Sequence, residues 1–263
     1  MDNRSLALAR DFPSKPHLLQ AIRLIGSEIE KQPLKSSSLA RIMRETFGGS
    51  DAGGAWSWRM AYDLMQAATV TTIMQDSGSD VLATARLLAS RLLTETRRSE
   101  QQIRLQQFST PLPFAALVIR AAAIRPGETV LEPSAGTGAL AGFAVRAGGK
   151  PMLNEIDPFR RALLEATIDT QVTGFDAEHI DDLLTVPDLP GVIVMNPPFA
   201  SSVDRSRDRH IAAKHLISAA KRLAPGGRLV AIMPMGFSPE RDAAHWSRAS
   251  AIAKPRLVSL YPH

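Results

Sequence analysis

Val130-Leu131-Glu132-Pro133-Ser134-Ala135-Gly136-Thr137-Gly138-Ala139-Leu140 runs from an apolar pair through an acid into a tight glycine loop, and out into an alanine- and leucine-rich stretch. It reads as a strand, a loop and a helix start. Glycines at 136 and 138 let the backbone approach a ligand closely, and Glu132 with Pro133 lies on the C-terminal lip of the strand, where open α/β sheets bind their ligands. The acid sets the sign of that ligand. A carboxylate repels a pyrophosphate, whereas it attracts an ammonium, directly or through water. Read loosely, Gly136, Gly138 and Ala141 also fit the dinucleotide fingerprint, which is weak alone.

Outward from this loop the same period repeats. Thr129 to Leu131, Pro151 to Asn154, Gly191 to Met195 and Arg228 to Met233 are short apolar runs separated by helical segments, the pattern of parallel strands in a doubly wound, Rossmann-like α/β sheet. A helix from about His210 to Leu223 ends at Pro225-Gly226-Gly227, which turns the chain into the last of these runs. Leu257 to Tyr261 is expected to be a sixth strand, with no residues left for an antiparallel seventh. Toward the N-terminus the period is helical instead. His17 to Lys31, Trp56 to about Gln75 and Val81 to about Arg98 predict helices, separated by the glycine-rich run Gly48 to Gly54 and by Asp76-Ser77-Gly78-Ser79. Two units follow: an N-terminal helical domain over residues 1–105 and the α/β domain over 106–263.

Composition narrows the setting. The 263 residues are 44% hydrophobic and 22% charged, contain no cysteine and hold no apolar run long enough to cross a bilayer. Disulfides and thiolate metal sites are therefore excluded, no membrane partner is expected, and a cytoplasmic location is the default expectation. Residues 1–125 carry 16 Lys/Arg against 11 Asp/Glu, while residues 126–263 carry 15 of each. A basic helical unit can be the footprint of a nucleic-acid backbone or a solvated face, and charge alone does not choose. The histidines at 17, 179, 210, 215, 245 and 263 show no metal-ligand spacing in the linear sequence, so no metal is expected.

Three further motifs carry chemistry. Asn154-Glu155-Ile156-Asp157 closes the second apolar run about twenty residues past the glycines, where a carboxylate can accept both hydroxyls of a ribose. Glu155 is that candidate, with Ile156 beside it. Gly174-Phe175-Asp176-Ala177 offers Asp176 to an adenine amino group, or as the cap of a turn. The third motif is Asn196-Pro197-Pro198-Phe199, directly after the apolar run Val192 to Met195. Its two prolines stiffen the loop and remove backbone donors, so that carbonyl oxygens and the Asn196 side-chain oxygen can face a pocket as acceptors. Acceptors are what an amino group needs. An exocyclic amine is a poor nucleophile because its lone pair is delocalised into the ring, and two acceptors gripping its N–H bonds favour pyramidal geometry. Phe199 adds a face on which a base can stack.

In their order along the chain these motifs resemble those of DNA adenine-N6 methyltransferases in which the cofactor half precedes any target-recognition domain. The resemblance covers residues 101–235, from Gln107-Phe108-Ser109-Thr110-Pro111 through Glu132 to Gly138, Glu155, Asp176 and Asn196 to Phe199. Trp56-Ser57-Trp58-Arg59-Met60-Ala61-Tyr62, Arg97 to Gln102 and Leu223 to Ile232 are similar, more narrowly, to the N-terminal methylase portion of bacterial strawberry-notch-like methylase–helicase proteins. The resemblance implies a class I methyltransferase sheet, S-adenosylmethionine as cofactor and nucleic acid, DNA before RNA, as partner. It further implies that Ser109, Thr110 and Pro111 close over the methionine end, that Glu132, Pro133, Gly136 and Gly138 line it, and that Glu155 with Ile156 holds the ribose. Asp176 would hold the adenine, while Asn196 and the Pro197 carbonyl grip the target amine, with Pro198 and Phe199 completing the catalytic loop. Two departures stand out. A Walker-type Lys-Ser/Thr loop is absent, so a helicase portion or target-recognition domain would have to lie outside this chain, and the sheet looks short of its final strand.

Adenine N6 in DNA is the expected target, tipped by Gln107 to Pro111. Guanine N2 in RNA and cytosine N4 in DNA are the rivals within the chemistry, glutamine N5 in protein a more distant one. A non-catalytic fragment that binds cofactor or DNA, and a nicotinamide-dependent oxidoreductase using Gly136 to Ala141, are the rivals outside it. Ala200 to His210, which contains Asp204, Arg205, Arg207 and Asp208, is read as a solvated loop.

Overall fold

The computed structural model describes residues 13–94, 109–185, 188–199 and 210–256. Four helices come first: α1 (Lys15–Lys31), α2 (Ser36–Phe47), α3 (Trp58–Gln75) and α4 (Val81–Arg91). The α/β part follows as α5 (Leu112–Ala122), β1 (Thr129–Glu132), α6 (Ala139–Arg146), β2 (Lys150–Asn154), α7 (Pro158–Ile168) and β3 (Val172–Thr173). A 3-10 turn (Ala177–His179) then leads into α8 (Ile180–Leu183), β4 (Val192–Met195), α9 (Ile211–Ala220), β5 (Arg228–Ala231) and α10 (Ala243–Ile252).

The five strands form one parallel sheet in the order β3-β2-β1-β4-β5. The doubly wound α/β expectation therefore holds. The chain steps outward from β1 to β2 and β3, then returns to lay β4 on the other side of β1, so the strand order reverses between β1 and β4. Open sheets leave a crevice above the strand ends at such a reversal. In β4, Val192 and Val194 enter one core while Ile193 and Met195 enter another, and all four are fully buried. An unbroken apolar strand is what a sheet covered on both faces requires.

One face of the sheet is covered by α5 and α6, with α3 laid against α6 and α7, and α1 against α3. Here a single core joins Leu64, Met65 and Ala68 of the N-terminal helices to Phe143, Val130 and Val192 of the α/β part. The other face packs under α9, and α10 packs on α9 in turn.

Several boundaries differ from the sequence reading: α1 begins two residues early, at Lys15, and α9 ends three residues early, at Ala220. Helix α3 begins at Trp58 because the Ser57 hydroxyl accepts a hydrogen bond from the Met60 N–H at 3.2 Å and caps it. The third predicted helix stops at Arg91, whose guanidinium donates to the carbonyls of Ile29 and Glu30 at 3.0 and 2.7 Å and fastens the turn to the end of α1. Strand β5 ends at Ala231, two residues early. The two-residue β3 is too short to leave a period in the sequence. Leu257 to Tyr261, Arg97 to Gln102, Gln107, Phe108 and residues 200–209 lie outside the described residues.

Candidate functional site

The glycine loop after β1 is held open by conformation and by crowding. Gly136 and Gly138 have φ of +57° and +90°, in the left-handed region where a side chain is strained, and a Cβ on Gly138 would stand 2.8 Å from Leu164 Cδ2. Glu132 lies under this loop, 3% exposed, and its Oε2 has no hydrogen-bond partner. Burial pushes its carboxyl well above the usual value; a hydrogen bond from the Ala141 backbone opposes the rise, and the nearby Glu155 adds to it. A buried carboxyl with an orphaned oxygen is costly in isolation, so a site that retains one is built to meet a donor or a cation.

At the end of β2, Asn154 ties three loops together. Its amide nitrogen donates to the carbonyls of Pro133 and Phe175, both at 2.9 Å, and its oxygen accepts from the Thr173 hydroxyl and the Phe175 N–H, both at 2.8 Å. Next to it, the buried Glu155 carboxylate joins the glycine loop to the turn before α7, outside the lining of the cavity. Oε2 accepts from the Gly136 N–H at 2.7 Å and Oε1 from the Asp157 N–H at 2.8 Å. Burial raises the Glu155 carboxyl, against the Asp157 hydrogen bond, the charge of Arg160 and the Gly136 hydrogen bond. Each oxygen keeps a second lone pair, so the backbone bonds fix the carboxylate without exhausting it as an acceptor.

Asn196 stands at the lip of β4, and its amide nitrogen donates to the Thr110 hydroxyl at 3.0 Å. That bond joins the loop after β4 to the segment before α5. A single cavity at the crevice is lined by Ser109, Thr110, Glu132, Gly136, Arg160 and Asn196, among others. Five residues singled out from the sequence thus meet in one place. The others stand around its rim or apart: Pro197 is buried, Pro198 partly so, Phe199 is 40% exposed and Ile156 49%. Asp176 is exposed, and its carboxylate accepts from the Glu178 N–H at 3.0 Å, so it caps the 3-10 turn. A wider groove between α1, α2 and the start of α3, bordered by His17, Phe47 and Trp56, contains none of the expected cofactor-binding or catalytic residues.

Sequence reasoning missed the cluster that supports this cavity from below. Arg160 of α7 is 3% exposed, and its Nε and Nη2 donate to the same oxygen of Asp63 at 3.1 and 2.8 Å. Arg59 reaches the other Asp63 oxygen at 3.7 Å and also pairs with Asp157. The second Asp157 oxygen accepts from the N–H groups of Phe159 and Arg160, capping α7. Burial would lower the Arg160 pKa, but Asp63, Glu155 and Asp157 outweigh it and raise it, so the guanidinium is firmly cationic. Asp63 and Arg59 come from α3, about a hundred residues earlier than Arg160. Their spacing of four along an otherwise apolar helix was the one signal available, and it reads equally well as a surface pair.

No known family model matches the chain, and no curated protein matches it. Solved structures do. A putative RNA methyltransferase from Pyrococcus horikoshii is 18% identical, with a TM-score of 0.48, over 66% of this chain and 80% of that one. TrmN from Thermus thermophilus is 23% identical, with a TM-score of 0.42, over 57% of this chain, which spans 44% of that protein's length. A modification subunit of a putative type I restriction enzyme from Vibrio vulnificus YJ016 is 14% identical, with a TM-score of 0.43, over 90% of this chain and 76% of that one.

Proposed function

We propose that this chain is an S-adenosylmethionine-dependent methyltransferase that modifies an exocyclic amino group of a nucleobase, adenine N6 in DNA first among the targets. The observation that carries the reading is the meeting of Asn196, Thr110 and Glu132, whose Oε2 has no hydrogen-bond partner, in one cavity at the strand-order reversal. The residues present fit the cofactor. Its methionine end is a zwitterion, and the cavity offers an orphaned carboxyl at Glu132 for the ammonium and the buried guanidinium of Arg160 for the carboxylate. Glu155 would hold the ribose hydroxyls with its remaining lone pairs, and half-exposed Ile156 would lie against the adenine. Asp176, with one oxygen used as a cap, keeps the other for the adenine amino group. When bound, the cofactor supplies an electrophilic methyl group on a sulfonium.

The chain's own residues then act on the acceptor. By donating its N–H to Thr110, Asn196 directs its carbonyl oxygen away as an acceptor for one amine N–H, and the Pro197 carbonyl takes the other. Exposed Phe199 offers a stacking face for the base, worth about 1–3 kcal/mol. A duplex substrate must flip that base out at a cost of about a few kcal/mol. The basic N-terminal helices, together with a helicase portion or target-recognition domain outside the chain, would hold the nucleic acid. Incubation with methyl-labelled cofactor and plasmid DNA, total RNA or protein extract, followed by digestion, tests the reading. Labelled N6-methyl-2′-deoxyadenosine in the DNA fraction is the expected product; label confined to RNA or protein overturns the DNA assignment, and no label in any fraction overturns the activity.

A further inference from the structure

Asp242 occupies the N-cap position of α10, where an aspartate ordinarily accepts a hydrogen bond from the first turn. Its carboxylate makes no capping bond. It faces two histidines instead: Oδ2 lies 3.0 Å from His210 Nδ1 and Oδ1 lies 2.8 Å from His245 Nδ1. The two imidazoles are stacked, with centroids 4.4 Å apart and planes inclined by 18°, so that both present the same nitrogen to one carboxylate. Burial opposes the ionisation of Asp242, yet the hydrogen bonds from His245 and His210 outweigh it and hold the carboxyl below its usual value.

We infer that His210, Asp242 and His245 form a binding site for a divalent transition-metal ion, zinc above all. One ligand atom from each residue lies within 4.8 Å of the other two. Ligands about 2.0–2.2 Å from a common ion, at angles between right and tetrahedral, are separated by about 3–3.5 Å. The two nitrogen–oxygen distances, 3.0 and 2.8 Å, are near that length but end on different oxygens of Asp242, so the carboxylate would hold the ion with both oxygens or turn, and the facing rings would turn to converge. Two imidazole nitrogens and a carboxylate suit zinc and its neighbours in the first row, while magnesium and calcium ask for more oxygens than the cluster offers. Entry is open, because the His210 side chain is 47% exposed whereas Asp242 and His245 are mostly covered at 11% and 16%. The ion takes the Nδ1 lone pair of a neutral imidazole whose proton sits on Nε2, in place of the hydrogen bond to Asp242.

The site has a consequence for the fold. His210 precedes α9, eleven residues beyond Phe199, and Asp242 and His245 open α10 after β5. A bound ion would pin the residue that precedes α9 onto the start of α10. Linear spacing hides the cluster because 31 residues separate His210 from Asp242.

Equilibrium dialysis of the untagged full chain against Zn²⁺ after treatment with a chelator tests the inference, and it does not depend on any methyl transfer. The expected result is one ion per chain and a raised melting temperature with metal. His245→Ala and Asp242→Asn should each weaken binding by about tenfold or more, keeping native circular dichroism, and Mg²⁺ should not compete. No stoichiometric uptake of Zn²⁺ overturns the site, and so does uptake that the His210→Ala/His245→Ala double variant retains.

Discussion

Two groups of buried charges meet at the glycine loop, and they differ in whether the protein supplies the opposite charge. Arg59, Asp63, Asp157 and Arg160 pair their charges across α3 and α7, although Arg59 Nε and Asp63 Oδ2 stay 3.7 Å apart, beyond hydrogen-bond length. On the crevice side, Glu132 is just as deeply buried and leaves an oxygen unmet. Closed networks hold elements in register. A buried acid with no cation beside it is instead a candidate to meet one that binds.

Breaking the closed network should produce the largest effect. Asp63→Ala leaves two guanidiniums buried without their shared carboxylate, and removal of one partner from a buried pair typically costs about 3–5 kcal/mol. Calorimetry should show a correspondingly lower melting temperature for the cofactor-free protein. An unchanged transition would mean that the cluster is solvated and does not join the N-terminal helices to α7.

Asn196→Ala should act on the open side alone. Its bond to Thr110 lies at the cavity rim, so the fold should persist while methyl transfer falls by about 10²–10³, the usual loss for one well-placed transition-state hydrogen bond. Affinity for S-adenosylhomocysteine should stay nearly constant. Equal activity in wild type and variant would remove the Asn196 loop from the chemistry.

Glu155 straddles the two classes, since its oxygens already hold the Gly136 and Asp157 backbones. Glu155→Ala should weaken cofactor binding at least tenfold, because charge-assisted bonds to ribose hydroxyls contribute about 1.5–3 kcal/mol each. Glu155→Gln keeps the shape but turns one acceptor into a donor, and should weaken binding less. Titration calorimetry giving wild-type affinity for both variants would confine Glu155 to a structural role.

This division also explains what was legible in the sequence. The parallel sheet could be read from β1, β2, β4 and β5 because each is an apolar run bounded by turn residues, and Glu132, Gly136 and Asn196 could be placed because strand ends converge in such sheets. Asp63 with Arg160, and His210 with Asp242 and His245, could not. Their partners are distant in the chain, and nothing in a local period reports a contact made across packed helices. The packing of α3 on α6 and α7 was invisible for the same reason. Asp176 shows a different limit: its capping and ligand-binding readings require the same residue type at the same place, and the structure shows the cap.

The smallest effect should carry the opposite sign to the first. Glu132 has a folded pKa raised by burial, so folding favours its protonated form. Such a group imposes no penalty below the ordinary carboxylate range; as pH climbs toward the raised folded value, the unfolded chain ionises first and stability is lost, by at most about 1.4 kcal/mol per pH unit. Glu132→Gln removes the titration and keeps the shape. The variant should therefore match or exceed the wild type in stability at pH 6 and above, with the gap closing toward pH 4. Cofactor binding should reverse the order, because an ammonium beside Glu132 favours the carboxylate and draws its proton off. Wild-type binding should then release up to one proton, seen as an enthalpy that changes with the ionisation heat of the buffer, and the variant should lose that dependence. A variant less stable than the wild type across this range would show that Glu132 is paired after all, and would end the distinction between the two sides of the loop.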